Sequence, residues 1–345
     1  MTQERRATED PRPDFAWVDN AKAFLIFLVI VGHLSIVPGR AAIYAFHVPA
    51  FLFVTGFLLP GNFGHLGPTA VIHRWTSVQL RAYLAFSAAS IAIWWIGGSL
   101  ARGHPIDATP AILGMLYGVG GEDGGLVHEN APLWYFPFLA VSLAGAWACL
   151  RMRAVTGWAL AVAWAGFALA YDGPRLPWCL DIGGIGVLTV VAGHRVRQAW
   201  FRIEPWLASR RRALATAALA GLLLLVLADL NGTANLNRDR FGQSGLLFVA
   251  ALAAGIAMTV ALGSLDRPGR FRRLVSRETL TIFAVHIYMV HRLNDVIPRD
   301  GGLAERLALT LGAGVAVLLA SLGIALALRP AIGWLILPRA PRVTP

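Results

Sequence analysis

Lys22 and His33 lie eleven residues apart in WVDNAKAFLIFLVIVGH (17–33), a stretch that is apolar between them. In a helix, eleven steps of ~100° close three turns with ~20° to spare. Both side chains therefore share one face, ~16 Å apart along the axis. An ionisable residue inside a membrane span is costly and by default marks a functional interior face. Imidazole takes and returns a proton near neutral pH, which is what a general base requires, so His33 is a candidate catalytic residue. The next apolar run, AFHVPAFLFVTGFLLP (45–60), carries His47 near its start. Antiparallel helices joined by a short loop are neighbours, so His47 is expected at a similar depth and is the second catalytic candidate. The competing reading, in which each histidine only bonds a backbone carbonyl across the helix pair, stays open at this point.

The elements that must hold these residues follow from composition. The chain has 345 residues, 57% hydrophobic and 14% charged, against ~25% charged in soluble domains. This predicts an all-α, polytopic integral membrane bundle. Apolar runs of the ~20 residues a bilayer requires fall near 17–37, 42–60, 78–98, 132–150, 155–171, 178–193, 212–230, 243–263, 277–297 and 304–327. About ten transmembrane helices are expected, with kinks or breaks where Pro49, Gly56, Gly183, Gly184 and Gly186 interrupt the second and sixth. A further apolar stretch at 108–119 reads as re-entrant or interfacial. Polar tails occupy 1–16 and 337–345, and one transmembrane domain spans 17–336, its first span read as a retained helix.

With an even number of spans, twenty arginines fall outside the spans on one side and eight on the other. The positive-inside rule then places both termini in the cytoplasm and the segment GEDGGLVHEN (121–130) outside. The same rule accounts for the strongly basic composition without nucleic acid. Cys149 and Cys179 form no CxxC pair, and His65, His73, His104 and His194 are placed in loops without partners at ligand spacing, so no metal is expected.

Several segments resemble the membrane acyltransferase-3 family, most closely its fucose-4-O-acetylase-like branch. The D-N-x-K pattern of residues 19–22 leads through an apolar run to Gly32-His33, matching the family's basic residue and histidine in the first helix. FHVPAFLFVTGFLL (46–59), RWTSVQLRAYLAFS (74–87), APLWYFPFLA (131–140) and SRETLTIFAVHIYMV (276–290) are similar to later family segments in the same order. Thr55 stands for a usual serine and Ala82 for a common proline.

The resemblance implies O-acylation, usually O-acetylation, of a carbohydrate or lipid-linked glycan hydroxyl, with acetyl-CoA as cytoplasmic donor and a bacterial plasma membrane location. On that reading Lys22, Arg74 and Arg81 bind the CoA phosphates, and ~16 Å is comparable to an extended pantetheine arm. Asp19 becomes an orienting partner of Lys22, Trp134 a sugar platform together with the 121–130 loop, and His286 the match to the family's late histidine. Blander readings stand beside these. Lys22 can snorkel to headgroups, Arg74 and Arg81 can meet anionic lipid, and His286 can be a satisfied contact between helices. Asn235, Arg238 and Asp239 read as a solvated turn in preference to an acceptor contact. The rival function is a secondary transporter or flippase, which ten spans with intramembrane histidines would also serve.

Overall fold

A computed structural model describes residues 15–120 and 128–336. The polar tails at 1–14 and 337–345 and most of the 121–130 loop lie outside the described residues. The chain is a helical bundle. Its helices are α1 (Ala16–Gly32), α2 (Arg40–Tyr44), α3 (His47–Leu58), α4 (Pro68–Val71), α5 (Ser77–Arg102), α6 (Thr109–Tyr117) and α7 (Tyr135–Leu150). They continue with α8 (Ala154–Ala170), α9 (Gly183–Gln198), α10 (Trp200–Leu207), α11 (Arg210–Asn231), α12 (Gly245–Gly263), α13 (Arg270–Val296) and α14 (Leu303–Ile336). Among the described residues the only sheet is a two-stranded ladder of β1 (Ala234–Asn235) and β2 (Arg240–Phe241), with Ala234 opposite Phe241.

Each of the ten apolar segments contains a helix, and among the described residues seven helical stretches are long and apolar enough to cross a membrane. α1 and α8 fall short of that length at 17 residues each, and α13 interrupts its apolar face with charged residues. α5 and α11 turn large apolar side chains outward, among them Ile93, Leu100, Leu219 and Leu222. In water such rows would be an aggregation hazard, whereas hydrocarbon is their natural solvent.

The inner helices are α1 and α9. α9 packs against α3, α7 and α8, and its glycines make those approaches possible. A Cβ on Gly184 would lie 2.1 Å from the Trp164 carbonyl oxygen of α8, and one on Gly186 would lie 1.9 Å from Ser142 Oγ of α7. The α3–α9 contact is reciprocal: a Cβ on Gly56 would meet Val190 O at 2.1 Å, and one on Gly193 would meet Phe53 O at 2.1 Å. Gly184, Gly56 and Gly193 are therefore contact points between backbones. The break expected in the sixth segment falls just before them, at Trp178 and Cys179 with their positive φ, and α9 begins at Gly183 and runs on through Gly184 and Gly186. The interruption in the second segment lies instead at Ala45–Phe46, between α2 and α3, upstream of Pro49.

Gly56→Ala is expected to force α3 and α9 apart, at a cost of about 1–3 kcal/mol. The melting temperature of the solubilised protein should fall and its yield with it. Gly97→Ala on α5 should leave both unchanged, because a Cβ there meets nothing within 4 Å. Equal melting temperatures for the two variants would show that the bundle tolerates the added methyl group.

α1 packs against α3, α12, α13 and α14. Buried Asn20 donates to Gly263 O at 2.8 Å and Asp266 O at 2.7 Å, satisfying carbonyls at and just beyond the C-terminal end of α12. The expected interfacial stretch at 108–119 contains the short apolar helix α6. The segment leading into α5 is longer than its hydropathy indicates, because α4 and a π-helical turn at Ile72–Thr76 extend it back to Pro68. α10 was not legible as an element: it is eight residues long and carries Pro205, which reads as a helix breaker.

Candidate active site

α1 and α13 run side by side in the same direction and are tied at three levels. At the first level Lys22 Nζ donates to Ser276 O at 2.6 Å, and Ser276 Oγ donates to the Asp19 carboxylate at 2.6 Å. At the second the His33 and His286 rings lie 5.4 Å apart between centroids. At the third Asn294 donates to His33 O at 3.0 Å and accepts from Ser35 N–H at 2.7 Å. The neighbouring carbonyls of this turn are also held, Leu34 O by Arg40 at 2.6 Å and Ile36 O by Arg306 at 3.1 Å. His33 is thus the C-cap of α1 and not an interior span residue, and the backbone beneath its ring is fixed by three side chains.

A cavity of about 70 Å³ opens on this ring, lined by His33, Tyr44, His47, Trp134, Asn235 and Asn237 among others. His33 makes no hydrogen bond through its ring among the described residues. His47 Nδ1 lies 2.6 Å from Ile43 O and His286 Nδ1 lies 2.7 Å from Phe283 O. A carbonyl can only accept, so in neutral imidazole both Nδ1 atoms carry the proton and both Nε2 atoms keep a lone pair. His286 Nε2 is buried without a partner, so this histidine is half-satisfied. Tyr44 joins the group between the others, 6.2 Å from His33 and 5.2 Å from His47.

The wall opposite the histidines is positioned by a buried polar knot. Asn130 donates to Ser90 Oγ at 2.8 Å and to Ala284 O at 3.1 Å, and Tyr288 donates to the same Ser90 Oγ at 2.7 Å. This pins the turn before α7 to α5 and α13, which brings buried Trp134 to the cavity, where it packs on Phe138 at 5.4 Å. Asn235 also lines the cavity, and its neighbours Ala234 and Leu236 are buried. The 231–245 connection is therefore packed against the site, with only part of it a solvated turn.

At the other end the three basic candidates are separately held. No hydrogen bond joins Lys22 to Arg74 or Arg81 among the described residues. Arg74 is exposed on the π-helical turn, a form found often at functional sites. Arg81 is half-buried on α5 with its Nε unpartnered, and buried Trp75 Nε1 and Gln79 Oε1 nearby in sequence also lack partners. Such groups are costly to leave unmet and mark a place where a ligand or water completes the bonding. His194, placed in a loop by sequence, is instead buried in the last turns of α9, with Gln198 Nε2 at 3.2 Å from its Nε2. Among the described residues no group of three or more His, Cys, Asp or Glu side chains is arranged to hold a metal.

Tyr44 and Asn294 were not singled out from the sequence. Tyr44 carried no motif, and the break at Ala45–Phe46 that turns it toward His47 is not readable from the sequence. Asn294 is 261 residues from the carbonyl it holds, a pairing that no local pattern can reveal.

In comparison with known proteins, the family model for an acyltransferase domain of the acyltransferase-3 type matches residues 15–329. No curated protein and no solved structure matches the chain.

Proposed function

The chain belongs to the acyltransferase-3 family and is a membrane acyltransferase; from that premise we propose that it transfers an acetyl group from acetyl-CoA to a hydroxyl of a carbohydrate or lipid-linked glycan. The observation that carries this reading is the His33 ring, which makes no hydrogen bond among the described residues, lines a small cavity and lies 5.4 Å from a second histidine. In the proposed reaction the acceptor hydroxyl oxygen attacks the thioester carbon while its proton passes to His33. The tetrahedral centre then collapses, the C–S bond breaks, and the proton returns to the departing thiolate. The products are an acetate ester and free CoA. His47 and Tyr44 orient the reacting groups, and His286 lies beside His33 with a lone pair free to share the imidazolium proton.

The donor reaches this cavity along α1 in our reading. Lys22, Arg81 and Arg74 meet the anionic end of CoA at the opposite end of the helix, as supported by the unpartnered groups around the entry to α5. Ten crossings, both termini in the cytoplasm and a bacterial plasma membrane complete the proposal. The excess of arginines at the Lys22 end supports that orientation.

The test uses the purified protein in liposomes with acetyl-labelled acetyl-CoA. The expected result is release of free CoA that depends on an added hydroxyl acceptor, with a matching gain of one acetyl group on that acceptor by mass spectrometry. Movement of an unmodified glycan across the bilayer with no CoA release would instead establish the transporter reading.

A further inference from the structure

The His33 cavity, at about 70 Å³, has space for little more than two waters at ~30 Å³ each. An acyl carbon and a hydroxyl fit there, but the body of an acceptor does not. Beside it lies a pocket of about 910 Å³ whose lining includes Tyr117, Asp172, Arg175, Arg238, Asp239 and Arg240. The two share a wall: Asn237 lines the small cavity, and Arg175 donates through Nη1 to the Asn237 carbonyl.

The arginines here stand out against their surroundings. Of the eight arginines outside the spans at this end, Arg40, Arg299 and Arg306 bond backbone carbonyls away from this pocket. Three others converge on this one pocket. Arg175 is built in: its side chain is only 16% exposed, its Nε is paired with the buried Asp181 carboxylate, and its Nη2 is buried without a partner. A guanidinium held this way presents its remaining N–H groups in a fixed fork, the arrangement that suits phosphate oxygens. The same site also lacks donors, since the Asp239 carboxylate lines it and its Oδ1 is buried and unpartnered. Burial, with the nearby charges of Asp181 and Asp172, pushes the Asp239 carboxyl up to about 6 despite Arg175. A ligand that supplies O–H groups to these oxygens and anionic oxygens to the arginines would satisfy both shortages.

We infer that this pocket is a binding subsite for a phosphate-bearing polyol, with Arg175, Arg238 and Arg240 on the phosphate and Asp239 on its hydroxyls. The assignment rests on the acyltransferase reading only in calling that polyol the acceptor; the binding itself does not depend on it. Phosphate of this kind is carried either by a soluble sugar phosphate or by a lipid headgroup. The exposed apolar side chain of Leu113 on α6 lines the pocket and gives a lipid chain somewhere to lie.

Calorimetry with the purified full chain, using glucose 1-phosphate, glucose and short-chain dihexanoyl phosphatidylglycerol below its micellar concentration, tests the inference. Glucose 1-phosphate should bind measurably more tightly than glucose. Arg238→Gln/Arg240→Gln should weaken it tenfold or more without lowering the melting temperature, and Arg240→Gln alone should do so by a smaller factor. Displacement of glucose 1-phosphate by the phosphatidylglycerol would support the subsite with a lipid-borne phosphate; retained binding without displacement would support it with a soluble one. Equal affinity for glucose and glucose 1-phosphate, or a double variant indistinguishable from wild type, would overturn it. His33→Gln should bind the sugar phosphate normally, so a failure of the acyl-transfer reading appears as lost chemistry with intact binding, and a failure of the subsite as the reverse.

Discussion

His33→Ala is expected to lower acyl transfer by about 10²–10⁴ while leaving expression, melting temperature and acetyl-CoA binding near wild type, the range typical for loss of a general base. The structure sharpens why the fold should survive. What holds the turn after α1 is its backbone, through Asn294, Arg40 and Arg306, and the His33 ring contributes no hydrogen bond to that arrangement. His33→Gln then separates the two roles a histidine can have. Glutamine keeps polarity and approximate size but cannot cycle a proton, so the chemical reading requires it to fail as alanine does. His47→Gln should retain substantial turnover, because His47 already gives Nδ1 to Ile43 O at 2.6 Å and serves as an orienting group. His286→Gln should fall between them and shift the pH profile of kcat, since it removes the lone pair closest to the His33 ring. Single-turnover acetyl transfer measured against pH checks all three. Near-normal transfer by a well-folded His33→Gln variant would remove His33 from the mechanism.

Much of this site was legible because its first half is local. Lys22 and His33 share a face by helical arithmetic alone, and His47 follows across a short loop, so the spacing of types within residues 17–60 already pointed to the histidine cluster. The rest depends on which helix lies beside α1. That partner is α13, whose Ser276, His286 and Asn294 recur at ten and eight residues and meet α1 at three heights. A sequence shows that spacing only after the parallel packing is known. Trp134 was found by resemblance, yet its seat depends on the Asn130–Ser90–Tyr288 knot, which draws on three separate segments.

The glycines show a different limit. Gly183, Gly184 and Gly186 lower helix propensity by about 1 kcal/mol each relative to alanine in water, so a break was the natural reading. In this bundle the same absent Cβ lets α9 approach Trp164 O and Ser142 Oγ, and packing against three neighbouring helices offsets the propensity. The segment does break, but just upstream at Trp178 and Cys179, and tertiary contact is what keeps Gly184 and Gly186 helical beyond it.

Lys22→Met is expected to weaken acetyl-CoA binding roughly ten- to a hundredfold, equivalent to ~1.5–3 kcal/mol for one charge-assisted phosphate contact. Lys22 is the only lysine among the chain's 30 basic residues. Every other cationic position uses arginine, so this one favours a compact ammonium over a planar fork. Its Nζ reaches Ser276 O at 2.6 Å beside Asp19, and an ammonium with three donors keeps others for a ligand. That contact also makes Lys22 a strut between α1 and α13, and the two roles separate experimentally. Ser276→Ala leaves the carbonyl in place but removes the hydroxyl held by Asp19, so it should disturb the strut without removing the charge. A donor site at Lys22 predicts that Lys22→Met loses affinity far beyond Ser276→Ala and that Arg81→Gln loses a comparable amount. Lys22→Arg should recover little, because the longer planar group does not fit against Ser276 O. Should Lys22→Met and Arg81→Gln both bind acetyl-CoA as wild type does, with Lys22→Met only melting earlier, Lys22 is a strut alone. The donor would then belong elsewhere at this end, and the cleft of about 290 Å³ lined by Trp17, Trp200 and Arg267 is where the search would move.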